Sequence, residues 1–275
     1  MSKLISVVLL CFVGQILLSQ DLTDQQKIFQ SYSVQYNINK NSSISGSYTG
    51  IGELNNFAFT YHDFGLNYTR NISQNSDLSL GVDLIKINQR NTNSFSNYFR
   101  TNIEYARQYR INKFTLSSEL NSEVYFPKFN KFQYRIIYSL GATYRWNITK
   151  WKIRPYTKFK LYYYGGGKYL DYYDDESNLI ARKSPNDIHR WRWYVGVKMR
   201  PHKQLSVVFS YFWNEEFNAS IFENSDINIY NKNKDGVRYA FNSYGAINLS
   251  FSYNIKFKKR KSDSKEVESD FNKEN

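Results

Sequence analysis

Residues 132–144 read FQYRIIYSLGATY, and this stretch decides the fold. Phe132, Tyr134, Ile136, Tyr138, Leu140, Ala142 and Tyr144 take every second position. Gln133, Arg135, Ser139, Gly141, Thr143 and, just beyond, Arg145 take the others, and only Ile137 breaks the polar row. Successive side chains of an extended chain point to opposite faces, so period two makes a strand with one apolar and one polar face. The pattern recurs at 114–124, 151–163, 205–217 and most extensively at 239–257. Strands of this length, at about 3.3 Å per residue and tilted by roughly 40°, span about 25 to 30 Å, the apolar height of a transmembrane barrel. Strands of soluble proteins usually end near five or six residues.

The composition of the 275 residues agrees with that reading: 18% are aromatic, yet mean hydropathy is −0.63. Disordered chains lack aromatics, and helical membrane proteins need long apolar runs. The one apolar run here is Leu4 to Leu18, preceded by Lys3 and followed by Ser19, so residues 1–20 read as a secretory signal that is removed. It carries the only cysteine, Cys11, and export without disulfides is expected. Residues 21–257 are then the barrel, and 258–275 a charged, disordered periplasmic tail.

By strand parity Trp146, Trp151, Trp191, Trp193 and Trp213 share the apolar face. Trp146 and Trp151 flank a short turn, while Trp191 and Trp193 follow a long loop, so an aromatic girdle at two heights is expected. Short connections at 110–113, 146–150 and 200–204 alternate with long ones at 165–187 and 218–238, as in barrels with short periplasmic turns and longer extracellular loops. The turns at 71–74, 110–113 and 147–150 share an isoleucine among polar turn formers, and so does 36–40. Used as a turn, 36–40 leads to eleven strands, whereas single-chain bacterial barrels have even numbers. Treating 39–56 as an outside loop yields the favoured ten strands with both termini periplasmic, and one further N-terminal crossing would make twelve. Pro155 is expected near the start of its strand or at a bulge.

Lys152-Ile153-Arg154-Pro155-Tyr156 with Phe159 to Tyr164, Arg190 to Arg200 (RWRWYVGVKMR), Leu205 to Phe217 (LSVVFSYFWNEEF) and the ending Leu249 to Phe257 together resemble the Gram-negative outer-membrane barrels grouped as domain of unknown function 2490. The tyrosine-rich loop 162–173 and the charged tail depart from that pattern. The resemblance implies an all-β antiparallel barrel in the outer membrane and brings no catalytic residues with it.

The polar face places Arg100, Glu104, Glu119, Glu123, Arg135, Arg145, Lys152, Arg154, Lys158, Lys160, Arg190, Arg192 and Lys198 toward the lumen. Two readings stay open: a small anion-leaning channel, or a structural barrel filled by its own salt-bridged side chains. Basic residues outnumber acidic ones in this set, which points to an anionic solute. Other classes are a lipid hydrolase or acyltransferase, for which His189 on the lipid face would be the base, and a glycan-binding surface on the tyrosine loop. His62 beside Asp63 and His202 in a turn have no nucleophile assigned. Asp171, Asp174, Asp175 and Glu176 lack metal-site spacing, and Gly165-Gly166-Gly167 lacks the residues of a phosphate loop. The formal charge of +13 is spread through strands and turns, so outer-membrane lipids rather than nucleic acid are the expected partners. A monomer without cofactor or metal is expected.

Overall fold

The computed structural model describes residues 26–255 except 56–57, 90–93, 130–131, 146–150, 219–220, 223–225, 228, 231, 234–235 and 239–242. The expected signal, Trp146 and the tail lie outside the described residues. Fifteen strands run in chain order: β1 (Lys27–Asn37), β2 (Ser42–Glu53), β3 (Phe59–Ser73), β4 (Ser76–Gln89), β5 (Ser94–Ile111), β6 (Phe114–Phe126), β7 (Tyr134–Tyr144), β8 (Arg154–Gly165), β9 (Leu170–Tyr173), β10 (Leu179–Lys183), β11 (Asp187–Met199), β12 (Leu205–Glu216), β13 (Ile229–Tyr230), β14 (Val237–Arg238) and β15 (Tyr244–Ile255). Eleven of them close into one barrel, β1-β15-β12-β11-β8-β7-β6-β5-β4-β3-β2, and the pairs β9–β10 and β13–β14 form separate hairpins in the two long connections.

The count corrects the favoured ten. Segment 39–56 is not an outside loop: Ser42–Glu53 is strand β2, paired antiparallel to β1 from Lys27↔Glu53 to Asn37↔Ser43. The turn signature at 36–40 was the better guide. All neighbouring strands are antiparallel except at one seam, where β1 lies parallel to β15 from Lys27↔Ala246 to Tyr36↔Ile255. An odd ring of up-and-down strands must contain one parallel contact, because alternating directions cannot close on an odd number. It follows that β1 begins at the rim bearing the long connections while β15 ends at the rim bearing the short turns, so the barrel's two ends do not share a rim.

The alternation sorts side chains as expected. Outward positions such as Phe64, Leu66, Phe99, Ile103, Tyr138 and Leu140 are exposed, while the opposite parity faces a polar interior. Ile137, the one break in the polar row, is buried inside with Ile85, Tyr125, Phe132, Tyr162, Tyr164 and Ile227. Phe132 departs from the row that begins with it: it precedes β7 and turns into this cluster, stacking on Tyr164 at 4.6 Å. Pro155 is the second residue of β8, at the short-turn rim. Only two of the five connections at the other rim are long, 166–186 and 217–243; those at 54–58, 90–93 and 127–133 are brief.

Inside the seam, Ser33 Oγ donates to Ser252 Oγ at 2.8 Å and Asn37 Nδ2 to Asn254 Oδ1 at 2.8 Å. Outside it, Tyr32 stacks on Phe251 at 5.5 Å. In a Cys11→Ser background, the double variant Ser33→Cys/Ser252→Cys should form an intramolecular disulfide under mild oxidation, read as a reduction-sensitive gel shift. Absence of the cross-link in folded protein would show that the barrel is not closed by a parallel β1–β15 seam.

Candidate functional site

Interior positions fall into two zones along the barrel axis. Toward the long-connection rim they are buried: Asp83, Ile85, Glu123, Tyr125, Tyr162, Tyr164, Phe212, Asn214, Glu216 and Tyr244. Toward the short-turn rim the interior positions are more accessible and mix small residues, among them Gly141, Thr143, Ser206, Ser250 and Ser252, with larger ones such as Tyr156, Lys158 and Glu119, and Lys198 is exposed. The interior is therefore tightly buried toward one rim and more accessible toward the other.

Ion pairs and aromatic rings make the buried layer. Arg100 on β5 bridges Asp63 at 2.8 Å and Asp83 at 2.9 Å and approaches Glu123 at 3.8 Å. Glu123 in turn meets Arg135 at 2.5 Å and accepts the Tyr125 hydroxyl at 2.9 Å. Arg135 lies over the rings of Phe132, Tyr125 and Tyr162 at 5.0, 5.4 and 5.7 Å. Arg190 pairs with Glu216. Buried charges persist where each is matched and hydrogen-bonded, which this layer achieves across strands β3 to β7.

The long connections complete this layer. Ile227 inserts into the aromatic cluster. Its segment is held by Asp187, fully buried at the head of β11, whose carboxylate accepts the Ile221 and Phe222 amides at 2.9 and 3.1 Å. Tyr172 on β9 donates to the Asp226 carbonyl at 2.8 Å; burial, aided by the Asp226 carboxylate, pushes its hydroxyl up to about 12, so it stays protonated and remains a donor. Gly166, at φ 66°, turns the chain off β8, and its amide donates to Asn186 Oδ1 at 2.8 Å. These fastenings were not legible in the sequence, where the connections read only as long and polar.

The lower zone holds a different balance. Lys158, Lys160 and Arg154 on β8 and Arg192 and Lys198 on β11 face Glu104 on β5 and Glu119 on β6. Lys158 reaches Glu119 at 2.5 Å across β7, where Gly141 leaves the space: a Cβ there would come within 2.6 Å of Ser117 Oγ. With Asp77 on the same inward parity near the start of β4, five cations face three carboxylates among the described residues, and the basic surplus expected from the sequence is concentrated on one wall.

Several expected positions change. Lys152 is not a lumen residue: it is exposed in the β7–β8 connection with φ 51°. Arg145 follows β7 at the short-turn rim and donates to the Asn112 carbonyl. Trp151 is 50% exposed in the same short connection, while Trp191, Trp193 and Trp213 lie on outward parity nearer the other rim, Trp193 and Trp213 in register 5.5 Å apart. His189 is not on the outer surface. A register shift between Ile188 and Arg190 makes it a bulge residue, fully buried, with Nδ1 3.2 Å from the Phe217 carbonyl oxygen. His62 faces outward against Tyr48, 2.9 Å from its hydroxyl, whereas Asp63 faces the Arg100 network, so adjacency in sequence separates them across the sheet. Tyr162 and Tyr164 form part of the buried layer, which removes them from any exposed sugar platform. Asp171 pairs with Arg182 at 3.2 Å, and among the described residues no group of three or more His, Cys, Asp or Glu side chains could hold a metal ion. No protein-family model matches the chain, and no curated protein matches it in sequence.

Glu123 is the shared anion of the buried layer, so Glu123→Leu should destabilise the barrel by roughly 3–5 kcal/mol, the cost of leaving buried guanidinium groups uncompensated. Lys152→Ala should leave the midpoint unchanged. Urea unfolding in detergent, followed by tyrosine and tryptophan fluorescence, measures both, and equal effects would refute the assignment.

Proposed function

We propose that the chain is an integral outer-membrane barrel that does not conduct at rest: a closed cup, sealed at the outer face and open to the periplasm. The observation that carries this reading is the inversion of polarity. Apolar side chains ring the outside of the closed barrel along most of the strand length, and charged and polar groups fill the inside. Water would penalise that outer surface, since soluble proteins rarely expose contiguous apolar patches beyond a few hundred Å². A further support is an apolar groove of about 370 Å³ outside the seam, lined by Tyr32, Val34, Gly46, Tyr48, Phe251 and Tyr253, which suits hydrocarbon. The likeness to the barrels of domain of unknown function 2490 and export by the N-terminal signal belong to this same proposal.

The tightly buried upper zone favours the filled-barrel reading over a permanently open anion channel. Folded protein should migrate differently on gels before and after boiling, fractionate with outer membranes, and give no steady conductance in planar bilayers. Asp187→Ala, which frees the segment carrying Ile227, should introduce flickering conductance. A steady large conductance in the parent would overturn the closed state, and a heat-insensitive periplasmic protein would overturn the membrane reading.

Orientation follows from the seam. With the short turns periplasmic, the start of β1 lies at the outer rim. An epitope inserted before Lys27 should therefore be reached by antibody on intact cells, while one placed after Ile255 should be reached only after permeabilisation. The opposite labelling pattern would invert the cup.

A further inference from the structure

Within the lower zone, two pairs of cations stand in register on β8 and β11, Arg154 with Lys198 near the short-turn rim and Lys160 with Arg192 deeper in the barrel. Lys160 and Arg192 stand directly opposite each other on β8 and β11, both on inward parity. Among the described residues, neither meets a carboxylate within ion-pair distance, whereas Arg100, Arg135, Lys158 and Arg190 all do. Arg192 is held by neutral groups: its Nε donates to Asn214 Oδ1 at 2.7 Å and its Nη2 to the Tyr244 hydroxyl at 2.9 Å. Its guanidinium lies 5.2 to 5.7 Å from the rings of Phe212, Tyr162 and Phe29. Lys160 Nζ lies 5.8 Å from the Tyr194 ring. Like charges set side by side in a low-dielectric wall repel, and rings and amides relieve that only in part.

We infer that Lys160 and Arg192 form an oxyanion site for a phosphate group, entered from the short-turn rim. The chemistry fits in three respects. An Arg retains further N–H donors after serving Asn214 and Tyr244, and a Lys supplies three, which suits an anion with several oxygens. The excess of two positive charges on this side of the lumen, five cations against Glu104, Glu119 and Asp77, matches a dianion better than a monoanion. The wall is also rigid, because Arg192 is oriented by two hydrogen bonds before any ligand arrives. Below the pair, toward the short-turn rim, Lys158, Tyr156 and Lys198 follow on the same two strands and only the small residues Thr143 and Ser206 on their neighbours, while Tyr162 and Phe212 are buried above. The inference rests on the proposed cup, but the binding measurement requires only the folded barrel.

The test uses the full mature chain folded in detergent, shown to be heat-modifiable, with inorganic phosphate as the probe and chloride at matched ionic strength as control. Phosphate should raise the unfolding midpoint and bind measurably by calorimetry. Lys160→Met should weaken that binding by roughly tenfold or more, as expected for loss of one charge-assisted hydrogen bond. Lys152→Met should bind as the parent does. A second readout separates a ligand site from structural support: without phosphate, Lys160→Met should be more stable than the parent because repulsion is relieved, and phosphate should narrow or reverse that difference. No phosphate binding by a heat-modifiable barrel, or a Lys160→Met variant less stable than the parent with and without phosphate, would overturn the site while leaving the barrel reading intact. A short-chain phosphatidylglycerol that binds where inorganic phosphate does not would overturn the solute assignment in favour of a lipid headgroup.

Discussion

The parallel contact between β1 and β15 is the constraint on which the rest of the molecule depends. Two open strand edges would leave rows of unpaired N–H and C=O groups, a cost that would be severe wherever water is excluded. Pairing β1 with β15 removes both edges at once. Because eleven strands alternate in direction, that last contact has to be parallel, and the two ends of the barrel are thereby placed on opposite rims. An odd count is unusual among barrels, though a mitochondrial example exists.

Closure forces inward side chains together, and the two halves of the lumen answer that crowding differently. Near the long connections, large rings alternate with matched charges: Arg135 is at once the partner of Glu123 and a plate against Phe132. Near the short turns, glycine, serine and threonine alternate with charged and aromatic residues, Lys158 crossing at Gly141 to Glu119 and Lys198 lying over Tyr156. The same closed sheet therefore carries a tightly buried aromatic layer near one rim and a more accessible basic stretch near the other. The phosphate site proposed at Lys160 and Arg192 lies at the boundary between these zones.

Much of this was legible in residues taken one strand at a time. Alternation in 132–144 separates inside from outside, and the exception, Ile137, marks the buried aromatic layer. The isoleucine turn at 36–40 implies the eleven strands that close the ring, against the even numbers usual in single-chain bacterial barrels. What local pattern could not show is any effect of one inserted residue. His189 reads as lipid-facing by parity, yet the bulge between Ile188 and Arg190 turns it inward, since a single extra residue exchanges the faces. Lys152 failed for the related reason that parity has no meaning in a turn. The anchoring of Ile221 and Phe222 by Asp187 joins residues over thirty positions apart, with no periodic signal to announce it.

By itself the sequence determined the period of the strands, the faces they present and the excess of cations, because these depend on residues two apart along an extended chain. Only the tertiary structure decided how many strands close the ring, which rim each end occupies, and which cations find a carboxylate. Those outcomes depend on neighbours brought together by closure, and the register between strands distant in sequence is set by the whole ring rather than by any one strand.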